Sequence, residues 1–243
     1  MKGVITAGGL GTRLYPMTKV TNKHLLPIYD LPMIYYPIQA LINAGIDDIM
    51  IITGGNNAGD FIRLLGNGKE FGLKRLSYVY QEGEGGIAAA VSLTRDFVGD
   101  DRVAVLLGDN IIEKNFAKAV HNFQNQERGA KILLKEVAHP EHYGVPTIQD
   151  KRIIKITEKP THPDTNYAVI GIYLYDNRVF DIIERLKPSG RGELEITDVN
   201  NAYIAEGTLT YEILDGWWAD CGEDRTSLFE ASCLVAQTGA NKL

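Results

Sequence analysis

The sequence is poor in cysteine, carries no surplus of basic residues and has no long apolar run. Cys221 and Cys233 are the only cysteines among 243 residues, and no neighbouring Cys or His has zinc-ligand spacing. This pattern favours two reduced thiols over a disulfide scaffold or a zinc site. The formal net charge of -6 disfavours a surface that coats nucleic acid, because such a surface clusters Lys and Arg.

Two further absences bear on location. No apolar run approaches the roughly 20 residues that cross a bilayer, and nothing like a signal peptide opens the chain at "MKGVITAGG". We therefore expect a cytoplasmic protein with neither a membrane nor a nucleic-acid partner. The hydrophobic share of 44% predicts a sizeable core that needs no cross-links.

The motifs of several common enzyme classes are missing. There is no G-x-S-x-G nucleophile elbow, and the five histidines show no triad or metal-ligand spacing. The P-loop pattern fails because no Gly-Lys-Ser/Thr closes the glycine-rich turn. The dinucleotide fingerprint fits Gly9 and Gly11 but has Leu14 in place of its third glycine. Covalent catalysis through Ser, Cys or His is therefore not expected.

The first half of the chain alternates strand and helix patterns. Short apolar runs rich in β-branched residues predict strands at 2–7, 48–53, 76–81 and 103–110. Helical periodicity lies between them at 33–45, 59–66 and 86–97. This order predicts βαβ units and a parallel sheet, with ligand-binding loops at the carboxyl ends of the strands.

The second half has a different rhythm. Strands are predicted at 130–137, 143–149, 152–159, 167–176 and 208–214. Helices are predicted after Asp176, at 196–207 and near 225–237, and the polar tail 237–243 is expected to fray. We therefore predict an α/β fold in a single domain over 1–243, with a mostly parallel mixed sheet, flanking helices and an inserted smaller sheet.

The stretch "TAGGLGTRLYPMTKVTNKHLLP", residues 6–27, follows the first predicted strand. Gly8, Gly9 and Gly11 lack the Cβ atoms that would keep a polyphosphate from the backbone N–H groups. Arg13 can bind two phosphate oxygens at once, and Lys23 adds a compact charge. The pattern indicates a polyphosphate site, although a simple glycine turn with a surface arginine would look the same locally.

Two other short motifs place charged residues at strand ends. "VAVLLGDN" reads as a buried strand that brings Asp109 to the ligand edge of the sheet, or as a strand followed by a helix-capping aspartate. "TEKP" places Glu158 and Lys159 side by side, and their side chains point to opposite faces unless the backbone turns. An exposed charge pair on a strand edge is the alternative for this second motif.

Residues 7–38, "AGGLGTRLYPMTKVTNKHLLPIYDLPMIYYPI", resemble the signature of the sugar nucleotidyltransferases. Further motifs resemble that family in the same order: "LGDN", "YGV", "EKP", "NYAVIGIYLYD", "GELEITD" and "WWADCG". The resemblance covers nearly the whole chain. It implies a Rossmann-like nucleotide-diphospho-sugar transferase fold, with nucleotide bound by about 1–130 and sugar by about 131–243.

The resemblance also implies an activity. The expected reaction transfers a deoxythymidylyl group from dTTP to glucose 1-phosphate, with Mg²⁺ and without a covalent intermediate, as the first step toward dTDP-rhamnose. Two alternatives stay open: a uridylyltransferase for the same sugar phosphate, and a catalytically silent nucleotide-binding relative. The family further implies a homo-oligomer, commonly a tetramer.

Site residues are carried over from the family position by position. The expected nucleotide-binding residues are Gly8, Gly9, Gly11, Thr12, Arg13, Lys23, Gln81, Gly86 and Asp109. The expected sugar-phosphate-binding residues are Asn110, Tyr143, Gly144, Glu158, Lys159, Val169 and Tyr173, with Ile87, Thr197 and Trp218 as further wall positions. Asp109 and Asp220 are the expected Mg²⁺ ligands, and Arg13, Lys23, Asp109 and Lys159 the expected catalytic residues.

Six positions depart from the pattern that the resemblance implies, among them Ile87 and Ala89, where longer relatives carry leucine and glutamine. Thr6 stands where an apolar residue is usual, and His24 replaces a glutamine of longer relatives. Cys221 and Glu223 replace two threonines next to the expected metal ligand Asp220. These departures bear on base selectivity and on the surroundings of the metal site.

Overall fold

The computed structural model describes residues 1–242. The strands are β1 (Lys2–Ala7), β2 (Pro27–Ile28), β3 (Leu31–Pro32), β4 (Asp48–Gly54), β5 (Arg75–Gln81), β6 (Val103–Leu107), β7 (Asn110–Ile112), β8 (Ala130–Glu136), β9 (Gly144–Gln149), β10 (Arg152–Glu158), β11 (Tyr167–Tyr175), β12 (Leu209–Ile213) and β13 (Trp218–Asp220). The helices are α1 (Tyr35–Asn43), α2 (Ala58–Leu65), α3 (Ile87–Ser92), α4 (Arg95–Val98), α5 (Ala117–Gln124), α6 (Val179–Arg185), α7 (Ile196–Ala205) and α8 (Arg225–Thr238).

A mixed nine-stranded sheet forms the centre of the fold. Its main strand order is β10-β9-β11-β6-β1-β4-β5, and β8 joins it beside β11, followed by β12. β1 runs parallel to β4 and β6, whereas β11 is antiparallel to β6. The smaller sheets pair β2 with β3 and β7 with β13. The predicted α/β fold, a mixed sheet with flanking helices, is thus confirmed.

Apolar layers cover both faces of the sheet. In β1, successive side chains alternate, so that Val4 packs into one layer and Ile5 into the other. Ile38 of α1 lies in the layer of Ile5, and Tyr203 of α7 lies in the layer of Val4. Strands buried on both faces read as continuous apolar runs, which is why the sequence shows them so clearly.

Three sequence-based expectations are corrected by the structure. The strand predicted at 103–110 ends at Leu107, and the chain then turns into the separate strand β7. The helix predicted at 86–97 is interrupted, because α3 ends at Ser92 and α4 begins at Arg95. Thr94, between them, turns its hydroxyl back to donate to the Val91 carbonyl at 2.7 Å. The third correction concerns the carboxyl-terminal tail.

The tail does not fray within the described residues. The Asn241 N–H donates to the Ile112 carbonyl at 2.9 Å, which adds the tail to β7. The side-chain amide of Asn241 donates to the Tyr36 carbonyl at 2.9 Å, and Asn43 donates to the Asn241 carbonyl at 2.7 Å. Polar tail residues therefore find partners that lie far away in sequence.

None of the helices in residues 1–242 combines the length and apolar character needed to cross a membrane. Both cysteines are free thiols, with Cys221 buried and Cys233 half-buried.

Candidate active site

A cleft of about 540 Å³ opens at the carboxyl ends of β1 and β6. Both halves of the chain contribute to its walls. The sequence-predicted residues that line it are Gly9, Gly11, Thr12, Arg13, Lys23, Ile87, Asp109, Asn110, Tyr143, Gly144, Glu158, Lys159, Val169, Tyr173, Thr197, Trp218 and Asp220. Their individual roles stay predictions, but the fold brings them to one place.

Gly8, Gln81 and Gly86 lie beside one another at the flank of the cleft. The Gln81 amide donates to the Gly86 carbonyl at 3.5 Å, and a Cβ on Gly8 would lie 2.8 Å from Gln81 Oε1. Gly86 has a φ of +88°, and a Cβ there would meet the Leu194 carbonyl oxygen at 2.6 Å. The positive φ and the close backbone oxygen explain why glycine stands at position 86, whereas the atom close to Gly8 is the end of a flexible side chain.

The glycine-rich turn folds back onto the segment that carries Lys23. Gly11 has a φ of +65°, and a Cβ there would lie 3.1 Å from Lys23 Cβ. The Thr18 hydroxyl donates to the Gly11 carbonyl at 2.7 Å and fixes the turn. Nothing lies within 4 Å of the place where a Cβ of Gly9 would stand, so the backbone is open to a ligand there. Arg13 is exposed at the rim and pairs with no carboxylate of the described residues.

Asn22 and His24 hold this segment against the end of β1. The Asn22 amide donates to the Ala7 carbonyl at 3.2 Å, while its oxygen accepts from the His24 N–H at 2.9 Å. The same oxygen lies 2.7 Å from His24 Nδ1. Burial, followed by the charge of Lys23, lowers the pKa of His24 to about 3, so the imidazole is neutral at pH 7. The positive charge at this point therefore belongs to Lys23.

Lys23 and Asp109 form a buried ion pair at the floor of the cleft. Lys23 Nζ donates to Asp109 Oδ2 at 2.5 Å, and the Asn110 amide donates to Asp109 Oδ1 at 3.0 Å. Burial by itself raises the pKa of Asp109, but the charge and hydrogen bond of Lys23 outweigh it and hold that pKa below its usual range. Asp109 is therefore ionised at neutral pH.

Asp220 reaches the same point because β13 pairs with β7. Asp220 lies opposite Asn110 in that pair, and the Cys221 N–H donates to the Asp109 carbonyl at 2.9 Å. Burial and then the charge of Asp109 raise the pKa of Asp220 to about 7. A Cβ on Gly222 would clash with the carboxylate of Asp109 and lie 2.6 Å from Lys23 Nζ. Lys23 thus pairs with Asp109, Asp220 lies beside them without an ion-pair partner in the described residues, and glycine at position 222 leaves room for this group.

Asn110 joins this floor to the opposite wall. Its side-chain oxygen accepts from Trp218 Nε1 at 2.7 Å and from the Gly171 N–H at 3.0 Å. Trp218 in turn packs edge-on against Tyr143, with ring centroids 5.2 Å apart. An amide with its oxygen doubly engaged and its nitrogen bound to Asp109 has a fixed orientation.

The backbone turn at Lys159 resolves the conflict in the "TEKP" motif. Lys159 has a φ of +44°, and its N–H donates to the Tyr143 carbonyl at 3.0 Å. Because the chain turns here, Glu158 and Lys159 both line the cleft. Glu158 accepts from the Thr197 hydroxyl at 2.6 Å, and Arg191 Nη2 lies 3.6 Å from its other oxygen.

The second wall of the cleft is built on strands, which contribute Gly144, Val169 and Tyr173. Gly144 lies directly opposite Val169 where β9 meets β11, and a Cβ on Gly144 would lie 3.3 Å from the Thr197 hydroxyl. Val169 is 8% exposed and Tyr173 4% exposed, so both also belong to the core. Packing and cleft lining are compatible at these positions.

Several cleft residues were not predicted as site residues from the sequence. The clearest are Glu84, Glu141, His142, Gly222 and Glu223. Glu223, noted only as a departure from the family pattern, accepts from the Tyr143 hydroxyl at 2.9 Å and pairs with His142. Its neighbours lie 80 or more positions away, so spacing along the chain carries no signal for it. The "WWADCG" motif did mark Gly222, but without a reason for the glycine.

A family model described as nucleotidyl transferase matches residues 2–238. A glucose-1-phosphate thymidylyltransferase of Neisseria meningitidis is 44% identical, over 97% of this chain and 82% of that protein. One of Mycolicibacterium smegmatis is 45% identical with the same coverage.

Solved structures agree with the sequence matches. A Bacillus anthracis protein described as a glucose-1-phosphate thymidylyltransferase, in complex with sucrose, has a TM-score of 0.93 and 53% identity over 98% of this chain and 96% of that one. A UDP-glucose pyrophosphorylase complexed with UDP-glucose has a TM-score of 0.83 and 26% identity over 97% of this chain and 98% of that one. With a family model, relatives and a site that all agree, the chain belongs to the nucleotidyl transferase family.

Proposed function

We propose that this enzyme transfers a deoxythymidylyl group from dTTP to glucose 1-phosphate, giving dTDP-glucose and pyrophosphate. Relatives with that name match at 44% and 45% identity over 97% of the chain. The observation that carries the proposal is the cleft itself, in which a glycine-rich anion-binding turn faces a wall of carboxylate, amide and aromatic side chains.

The glycine-rich side suits the triphosphate. The open backbone at Gly9 lets phosphate oxygens approach the N–H groups, and Arg13 can bind two oxygens of the leaving pyrophosphate. Lys23 has three N–H donors, of which Asp109 takes one. The remaining donors can stabilise the α-phosphate, where negative charge accumulates during transfer.

The opposite side suits a sugar phosphate. Lys159 is exposed into the cleft and can bind the sugar's phosphate group. Glu158 and Tyr143 offer oxygens to sugar hydroxyls, and Trp218 offers an apolar ring face. This division leaves the two phosphates facing each other between Lys23 and Lys159.

The reaction needs little from the protein beyond placement and charge. An oxygen of glucose 1-phosphate attacks the α-phosphorus in line and forms a new P–O bond. The bond from the α-phosphorus to the bridging oxygen breaks, and pyrophosphate leaves with that electron pair. The attacking oxygen is already ionised, so no general base is required. Arg13, Lys23 and Lys159 lower the repulsion between the two anions.

A divalent cation fits the floor of the cleft. Lys23 pairs with Asp109, and burial followed by repulsion from Asp109 raises the pKa of the unpaired Asp220. Such a surplus of negative charge suits a cation held by two carboxylates, with phosphate oxygens as its other ligands. We propose that Asp109 and Asp220 hold Mg²⁺, which when bound would draw charge from the phosphate oxygens. Among the described residues, no cluster of three or more Asp, Glu, His or Cys is placed to hold a metal ion by itself.

Release of pyrophosphate from a nucleoside triphosphate in the presence of glucose 1-phosphate tests the proposal. The assay uses dTTP, UTP, ATP, CTP and GTP in turn, each with Mg²⁺ and with EDTA. We expect the highest kcat/KM with dTTP and none of the activity in EDTA. A preference for UTP would instead favour the uridylyltransferase alternative, to which the likeness to UDP-glucose pyrophosphorylase also points. Nucleotide binding without pyrophosphate release would favour a catalytically silent relative.

We further propose a cytoplasmic location and a homo-oligomer, a tetramer by the family resemblance, with small-molecule substrates only. Size-exclusion chromatography with light scattering tests the oligomeric state. A monomer at micromolar concentration would reject that part of the proposal.

A further inference from the structure

The hydroxyl group of Tyr143 donates one hydrogen bond and accepts none from the described residues. It lies 2.9 Å from Glu223 Oε2. A phenol has one hydrogen to donate, and a carboxylate can only accept. The hydrogen of Tyr143 is therefore directed to Glu223, which leaves the oxygen lone pairs for other partners.

Contacts on both sides keep this arrangement in place. His142 Nδ1 lies against the other carboxylate oxygen of Glu223, so both oxygens of this carboxylate have a neighbour that holds them in place. The Tyr143 ring packs at 72° against Trp218, whose indole N–H is bound to Asn110. The side chain of Glu223 is 29% exposed, and both it and Tyr143 line the cleft. The hydroxyl oxygen is thus both fixed and reachable.

Tyr143 also keeps its proton. Burial, the charge of Asp220 and the hydrogen bond to Glu223 all raise the pKa of this phenol above its usual value. The group therefore remains a neutral hydroxyl rather than a phenolate throughout the physiological range.

We propose that Glu223 is a positioning residue that makes Tyr143 a hydrogen-bond acceptor for one hydroxyl of the sugar phosphate. This inference rests on the proposed function and adds a selection rule to it. The substrate must offer an O–H donor at the position that meets Tyr143. A sugar with fluorine or hydrogen at that position cannot donate, so it leaves the Tyr143 oxygen without a partner.

Steady-state kinetics of Glu223→Ala and Glu223→Gln test this role. With nucleotide saturating, we expect Glu223→Ala to raise the KM for glucose 1-phosphate about tenfold, the usual cost of one hydrogen bond, with kcat little changed. Glu223→Gln keeps an acceptor oxygen for Tyr143 and should recover most of the affinity. Glu184→Ala, which removes an exposed carboxylate on α6 away from the cleft, is the control and should match the wild type.

A double variant distinguishes positioning from a general structural effect. If Glu223 acts through the Tyr143 hydroxyl, then Glu223→Ala should have little further effect in a Tyr143→Phe background. Deoxyfluoro analogues of glucose 1-phosphate give the second readout. The wild type should lose about tenfold in kcat/KM at one ring position, and Glu223→Ala should lose that discrimination.

The outcomes separate this inference from the proposed function. An unchanged KM in Glu223→Ala, or additive effects of the two substitutions, overturns the role of Glu223 while the activity stands. Calorimetric titration with glucose 1-phosphate measures the same differences without turnover. A wild type that neither releases pyrophosphate nor binds the sugar phosphate overturns both.

Discussion

The two edges of the parallel sheet carry the same kinds of charged residue, but the residues serve different purposes at each edge. At the amino edge, Asp48 accepts from Lys2 at 3.0 Å and from Arg75 at 2.8 and 2.9 Å. Both cations also lie over the Phe97 ring, 4.9 and 5.1 Å from its centroid. At the carboxyl edge, Lys23 pairs with Asp109, and the neighbouring Asp220 has no ion-pair partner among the described residues.

The difference lies in how completely the charges are neutralised. Two cations serve one carboxylate at the amino edge, and both oxygens of Asp48 are hydrogen-bonded to them. At the carboxyl edge, Lys23 neutralises Asp109 but Asp220 has no ion-pair partner in the described residues. Arg13 nearby has no carboxylate partner there either. Charge left unpaired in a cleft is unfavourable for folding and available for a ligand. Charge balance therefore distinguishes the amino edge, which stabilises the fold, from the carboxyl edge, which lines the cleft.

We expect Asp109→Asn to cause the largest loss of activity. The change keeps the shape of the side chain but removes the negative charge beside Lys23 and the proposed metal position. We expect kcat to fall about a thousandfold, because several kcal/mol of charge stabilisation are lost. Pyrophosphate release measures the loss, and circular dichroism checks the fold. Activity within tenfold of wild type in a folded variant would contradict the assignment of Asp109.

Arg13→Ala tests the unpaired cation at the rim. Removing one group that stabilises a transition-state charge typically costs about a hundredfold or more in kcat. The thermal midpoint should not change, because Arg13 is exposed and makes no ion pair with a described residue. Arg13→Lys is the matched variant and should keep part of the activity through its charge. A loss of stability equal to that of a core variant would reject a purely functional role.

Asp220→Asn should make the metal-free protein more stable and less active. The substitution removes the repulsion from Asp109 and keeps an oxygen for the Gly222 N–H, which now donates to Asp220 at 3.0 Å. We expect a gain of about 1 kcal/mol in the free energy of unfolding in EDTA, the usual range for relieving an active-site conflict. Denaturant unfolding measures it. A destabilised variant would show that the two carboxylates do not conflict.

Asp48→Asn should have the smallest effect, and only on stability. We expect the thermal midpoint to fall by about 2 to 4 °C with activity unchanged. Burial favours a raised pKa for Asp48, but hydrogen bonds from Arg75 and Lys2 hold it below the ordinary 3.8. Its stabilisation is therefore complete above pH 3.8 and is lost as the pH falls through the lower folded value. Thermal unfolding of both proteins across that range should converge at acid pH, and a difference that grows there would contradict this account.

The sequence predicted the parallel strands well because their signal is local. The bounds of β4 and β5 agree with the predicted ones to within one residue at each end. Strands buried on both faces are continuous apolar runs, which are easy to recognise. The glycine-rich turn could also be predicted, because its glycines are close together in sequence and Gly11 adopts a positive φ. Family motifs then pointed to most of the cleft lining.

What could not be predicted depends on pairing between distant segments. The chain leaves β6 after Leu107 and enters a different sheet, where Asn110 pairs with Asp220, more than 100 residues later. Glu223 carries no local motif, and its importance appears only when Tyr143 is placed beside it. The tail failed as a prediction for the same reason, since its polar residues bind the backbone of β7 and α1.

That anchored tail has a practical consequence for anyone who immobilises or labels this enzyme. A reporter or surface tether fused after residue 242 would be connected, through Asn241 and Ile112, to the strand that starts with Asn110. A mechanical load or a bulky group at that point would therefore disturb the floor of the cleft, because only a few hydrogen bonds and residues lie between them. An attachment before Lys2 would pull instead on the amino edge, where Asp48 binds two cations. We expect it to leave turnover unchanged.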